Sequence, residues 1–125
     1  MPAVEYVARQ LQRRLPWELV DLILLLWLYS NPHETRRRTL PSLRHVLKHT
    51  SQFQRPDGKP SATDDELDQI VLAALQRLRT KRCISVRSED NLTARIELSQ
   101  EGIDLIKSAL SSESLQFLDE SGQCT

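Results

Sequence analysis

The run from Leu19 to Tyr29, LVDLILLLWLY, constrains this chain more than any other feature. A helix over Trp17–Ser30 would carry apolar side chains on almost every face, so it must be enclosed on most sides. The run is too short to cross a bilayer, which takes about 20 apolar residues, and Asp21 interrupts it. It therefore predicts a core or interface helix and argues against a membrane partner. A chain of 125 residues fits one domain with one core, and full enclosure of such a helix in so small a protein often needs a second subunit.

An amphipathic helix is expected before it. Val4, Val7, Leu11 and Leu15 share one face over Ala3–Leu15, with Arg9, Gln10, Arg13 and Arg14 between them. Pro16 ends that helix and suits the opening of the next. Asn31 and Pro32 stop the apolar helix. This narrow stripe and the all-round apolar helix point to a homodimer interface built from Val4, Val7, Leu11, Trp17, Leu24, Trp27 and Leu28.

After the basic stretch 33–38, a short helix is expected near Leu40–Thr50, with Thr39 as N-cap and Leu43, Val46 and Leu47 inside. Ser51–Ala62 holds Pro56, Asp57-Gly58 and Pro60 and reads as a loop. The best-marked helix starts at Thr63. Thr63 and Glu66 have the spacing of a capping box, and Leu67, Ile70, Val71, Ala74, Leu75 and Leu78 make a continuous apolar stripe. Ile84–Arg87, then a polar turn at Ser88–Asn91, then Ala94, Ile96 and Leu98 alternate as a β-hairpin. A last helix follows Ser99 and Gly102, with Ile103, Ile106 and Leu110 on one face. Residues 111–125 read as a flexible tail, in which Leu115, Phe117 and Leu118 are the candidates for docking.

The fold class is thus mainly α with a small β-hairpin, one domain over residues 1–110. The order helix, helix, helix, hairpin, helix resembles a winged helix-turn-helix with an extra N-terminal helix. Over residues 63–110, LAALQRLRTKRCISVRSEDNLTARIELSQEGIDLIKSAL is similar to the second half of MarR/PadR-type regulators. Leu75, Leu78, Ile84, Leu98, Ser99 and Gly102 occupy the positions that carry the likeness. The resemblance implies DNA binding in transcriptional control by a homodimer. It places the terminal helices in the dimer contact and the helix from Thr63 in the major groove.

Charge separates two ways of using that fold. The chain is formally neutral, yet residues 1–60 carry ten basic against five acidic side chains, and the second half is acidic. Arg36, Arg37, Arg38, Arg44 and Lys48 are the candidates for double-stranded DNA phosphates, and Arg87 and Arg95 flank the wing tip. Gln69 and Gln76 lie off the core stripe, where they could read base edges. Against this, Asp64, Asp65, Glu66 and Asp68 sit at the start of the helix offered to the groove, where they would repel phosphates, and the loop before it is long for a helix-turn-helix. The alternative is a winged-helix protein-interaction module or assembly subunit that does not bind DNA, with a protein partner on that acidic start.

Catalysis finds no foothold. There is no GxSxG elbow and no glycine-rich phosphate loop in a chain with 3 Gly. His45 and His49 are spaced for chelation with His33 or Glu34, but HExxH is absent. Cys83 and Cys124 form no CxxC pair, so no enzyme, metal or cofactor is expected. Met1–Leu15 lacks an apolar signal core. The expected location is the cytoplasm, or the nucleus in a eukaryote.

Overall fold

The computed structural model describes residues 2–30, 39–87 and 95–123. In chain order these form α1 (Pro2–Leu11), α2 (Leu19–Ser30), α3 (Leu40–Lys48), a 3-10 turn (Ser51–Phe53), α4 (Asp64–Thr80), β1 (Ile84–Arg87), β2 (Arg95–Leu98), α5 (Gln100–Ala109) and α6 (Ser112–Gln123). This is the expected α+β class: mainly helical, with one two-stranded antiparallel sheet among the described residues.

The apolar run becomes the central shaft. Leu22, Ile23, Leu24, Leu25 and Leu26 have no exposed surface, and Trp27 and Leu28 are 1% exposed. At about 1.5–3 kcal/mol for each large apolar side chain, their burial is a gross term on the order of 10–20 kcal/mol before chain entropy is subtracted. Around α2 pack α1, α3, α4, α5, α6 and β2. One chain therefore supplies all the cover that the run demands.

That enclosure corrects the expected dimer interface. Val4, Val7, Leu11, Leu24, Trp27 and Leu28 are buried inside the single chain and offer nothing to a second copy in this conformation. Trp17 is half-buried, with the Lys81 Nζ 4.7 Å from its ring centroid. The stripe on α1 was read correctly as apolar, but it packs on α2.

The tail is also corrected. Residues 112–123 form a helix, packed on α1 and α2. Ser111 Oγ accepts from the Ser114 N–H (3.2 Å) at its start, and Leu118 is fully buried three residues beyond half-buried Leu115. Two apolar residues at helical spacing sufficed, because α1 and α2 left a groove for them. Ser114 Oγ also donates to Gln10 Oε1 (2.9 Å).

Two boundaries differ from expectation. α1 stops at Leu11, and the chain turns through residues 12–15, where Arg14 and Leu15 both donate to the Leu11 carbonyl (2.9 Å). Pro16 opens no helix. Trp17 donates to the Leu15 carbonyl (2.7 Å) and α2 begins only at Leu19. Thr39 precedes α3 as expected, but its side chain makes no cap bond; its Oγ1 meets Ser42 Oγ at 3.0 Å.

The end of α4 is where helix, hairpin and α5 interlock. Cys83 donates to the Leu78 carbonyl (3.0 Å) and Arg82 to the Arg79 carbonyl (2.9 Å), the paired bonds of a Schellman ending. Its left-handed position is taken by Arg82, at φ 63°, where glycine is the usual occupant. Ser99 Oγ caps α5 by accepting from the Gly102 N–H (3.0 Å) and donates to the Arg82 carbonyl (2.6 Å). A Cβ on Gly102 would lie 2.5 Å from the Cys83 carbonyl oxygen, so this crossing needs glycine.

Candidate nucleic-acid interface

α4 begins with the capping box that its sequence announces. Glu66 N–H donates to Thr63 Oγ1 (3.2 Å), and Thr63 N–H donates to Glu66 Oε1 (3.0 Å). The backbone bond from Thr63, reinforced by its hydroxyl, holds the exposed Glu66 carboxyl below the ordinary carboxylate range. Leu67, Val71, Ala74, Leu75 and Leu78 are buried, whereas Ile70, expected with them, is only half-buried.

The opposite side of α4 is open. Asp65, Gln69, Leu72, Gln76 and Arg79 form an exposed row at helical spacing, flanked by exposed Ala73 and Thr80. Leu72 is 38% exposed, in the middle of the row. Gln69 and Gln76 thus share one accessible face, two turns apart.

The hairpin pairs Ile84 with Leu98, Ser85 with Glu97, Val86 with Ile96 and Arg87 with Arg95. Ile84 and Ile96 are buried and anchor its base, while Arg95 is exposed. Arg87 and Arg95 are therefore brought into register as the last cross-strand pair among the described residues.

The cations expected to meet phosphates are placed differently. Arg44 Nη1 lies 3.2 Å from Oδ1 and 3.1 Å from Oδ2 of Asp68. Lys48 Nζ lies 3.6 Å from Asp64 Oδ1. The acidic first turns of α4 thus serve as partners for α3, which packs against them. Arg36, Arg37 and Arg38 lie outside the described residues, as do His33 and Glu34. His45 and His49 are exposed, with ring centroids 4.4 Å apart at an angle of 71°. No group of three metal-ligating side chains occurs among the described residues.

One functional-looking pair escaped the sequence reading. Asp21 is fully buried at the start of α2 and accepts from Arg77 Nε (2.8 Å) and Nη2 (2.7 Å) in a bidentate bridge between α2 and α4. Those bonds raise the affinity of Arg77 for its proton. The available signal was a lone carboxylate inside an apolar run. Such a group must be paired, because burying it alone is costly.

Several cations have no ion-pair partner among the described residues, some at the α1–α2 turn and the end of α4 among them. Arg13, Arg14, Arg79 and Arg82 are exposed and enter no ion pair among the described residues. An open cleft of about 430 Å³ runs along one flank of α4, lined by Ala73, Gln76, Arg77, Thr80 and Lys81. Cys83 is buried at the base of the hairpin, and desolvation pushes its thiol pKa up, which leaves it a poor nucleophile.

Among the described residues no helix is long and apolar enough to cross a membrane. Compared with models of known protein families, with curated proteins and with solved structures, the chain has no significant match.

Proposed function

We propose that the chain is a non-catalytic winged-helix module that binds double-stranded DNA as a homodimer, in transcriptional control. The supporting observation is the open row on α4, with Gln69 and Gln76 on one face, running directly into a hairpin whose last register pair among the described residues is Arg87 and Arg95. A helix that is packed along one side and bare along the other suits a groove. The hairpin arginines and Arg36–Arg38 supply phosphate contacts in this reading. Exposed Tyr6 and Phe117 pack edge to face across α1 and α6, with centroids 6.1 Å apart, and offer the second copy an aromatic patch. The location that goes with this role is the cytoplasm, or the nucleus in a eukaryote.

A second reading is favoured by the pairing of Arg44 with Asp68 and Lys48 with Asp64. Cations already held by carboxylates contribute less to phosphate binding, and exposed Asp64, Asp65 and Glu66 oppose it. On that reading the same fold is a protein-interaction module that leaves DNA alone.

Fluorescence anisotropy of a labelled mixed-sequence duplex, titrated with protein across salt, separates the two. DNA binding predicts micromolar affinity at low salt that falls steeply as salt rises, with a shallower slope for Arg87→Ala plus Arg95→Ala. No binding at low salt overturns the DNA reading.

A further inference from the structure

We infer that the C-terminal end of α4, together with the α1–α2 turn, is a docking surface for an acidic peptide segment that also carries an apolar side chain. This surface lies apart from the hairpin but shares Gln76 and Arg79 with the α4 row read above as the DNA face, so a peptide and a duplex would compete for it.

Three observations meet there. First, tertiary packing gathers the cations from two distant segments. Arg13 and Arg14 lie in the turn after α1, and Arg79, Lys81 and Arg82 lie at the end of α4. The contact of Lys81 with Trp17 joins the two segments, and the bond from Gln12 Nε2 to the Trp17 carbonyl (2.9 Å) braces the first of them internally. Second, Arg13, Arg14, Arg79 and Arg82 are exposed and lack ion-pair partners among the described residues, whereas Arg44, Lys48 and Arg77 all have carboxylates. Exposed Glu18 and Glu101 supply opposing charge near this end, Glu18 acting on Arg77 and Glu101 on Cys83. Third, the α4 cleft adjoins the cluster through Lys81, and Ala73 with the Thr80 methyl gives it apolar surface.

The combination selects the partner. Phosphodiester chains are followed by charge on an open surface, and an apolar cleft adds little to that. A peptide with carboxylates on the guanidinium groups and one aliphatic side chain in the cleft uses both features, since guanidinium forks match carboxylates bidentately. Lys81 over Trp17 gives a built-in reporter, because Trp27, the other tryptophan, is buried in the core.

The test uses the full chain and two labelled peptides of equal charge, one alternating Glu with Leu and one alternating Glu with Gly, with a mixed-sequence duplex as third probe. The expected result is that the Glu/Leu peptide binds and shifts Trp17 emission, a shift that Trp17→Phe removes. It should bind at least about tenfold more tightly than the Glu/Gly peptide, a factor worth 1.4 kcal/mol. Arg13→Glu with Arg14→Glu, both outside the α4 row, should weaken it by about tenfold or more, while Arg55→Glu, on the loop before α4, leaves it unchanged. Equal binding of the two peptides, or no loss in the double variant, overturns the inference. So does a duplex that binds more tightly than either peptide and is lost in the same double variant, which would make phosphate the occupant. Loss of duplex binding only on Arg87→Ala and Arg95→Ala would concern the DNA reading and leave this one intact.

Discussion

Gly102 and Arg82 sit on either side of one crossing, and each tests a different constraint on it. At Gly102 the constraint is space. A Cβ would meet the Cys83 carbonyl oxygen at 2.5 Å and Leu98 Cδ1 at 2.9 Å, and a backbone oxygen held by the Ser99 N–H (2.9 Å) cannot step aside. Gly102→Ala is therefore expected to cost about 2–3 kcal/mol, read as a lower urea midpoint with an unchanged slope. At Arg82 the constraint is backbone conformation, since φ is 63° on a residue with a side chain. Arg82→Gly should raise stability by about 1 kcal/mol, because glycine takes the left-handed position without the Cβ penalty. Unchanged stability in Gly102→Ala would contradict the packing argued for this corner, and no gain in Arg82→Gly would contradict the strain. Ser99 and Gly102 marked the start of α5, but the space constraint at Gly102 was not legible, because it comes from the distant Cys83 carbonyl. Nor was the strain at Arg82, because a Schellman ending more often announces itself with glycine.

Among the elements, α4 was the most legible and α6 the least. Thr63, Glu66 and the apolar stripe of α4 act within one or two turns of each other, so their meaning survives without a tertiary partner. α6 has only Leu115 and Leu118 to bury, and its polar composition reads as a tail. It becomes a docked helix because α1 and α2 present a face that fits it. Leu118→Ala is accordingly expected to cost about 2–4 kcal/mol, a core-sized loss that a frayed tail would not show. Hydrogen exchange supplies the second check: amides near Leu118 should be protected in the native protein, and unprotected amides would return this segment to a tail.

For the whole molecule, the Asp21–Arg77 bridge is the joint between the buried shaft α2 and the exposed row of α4. Asp21 has 1% of its side chain exposed and Arg77 41%, so the two partners are not equivalent. Arg77→Ala leaves a buried carboxylate alone and is expected to cost about 2–4 kcal/mol at neutral pH, less than a fully buried pair because solvent reaches the guanidinium side. Adding Asp21→Asn should recover part of that loss, since a buried amide is cheaper than a buried charge. Additive losses in the urea midpoints of the two single variants and the double would show that the bridge carries no coupling.

Much of the architecture was written locally. Hydrophobic periodicity, the capping box and the hairpin alternation all depend on residues a few positions apart, and the helical class with one hairpin follows from them. What tertiary structure decided was which groups are left over. The apolar run could have been covered by a second subunit, and the other elements of the same chain cover it instead. The basic first half suggested that Arg44 and Lys48 were free, but Asp68, 24 positions from Arg44, holds one and Asp64 the other. Asp21 and Arg77 are 56 positions apart. Among the described residues, Arg13, Arg14, Arg79 and Arg82 are some of the exposed cations left without ion-pair partners. Charge neutralisation and burial are pairwise and long-range, so a count along the chain cannot assign them, whereas a helix cap or an amphipathic stripe is complete within its own turns.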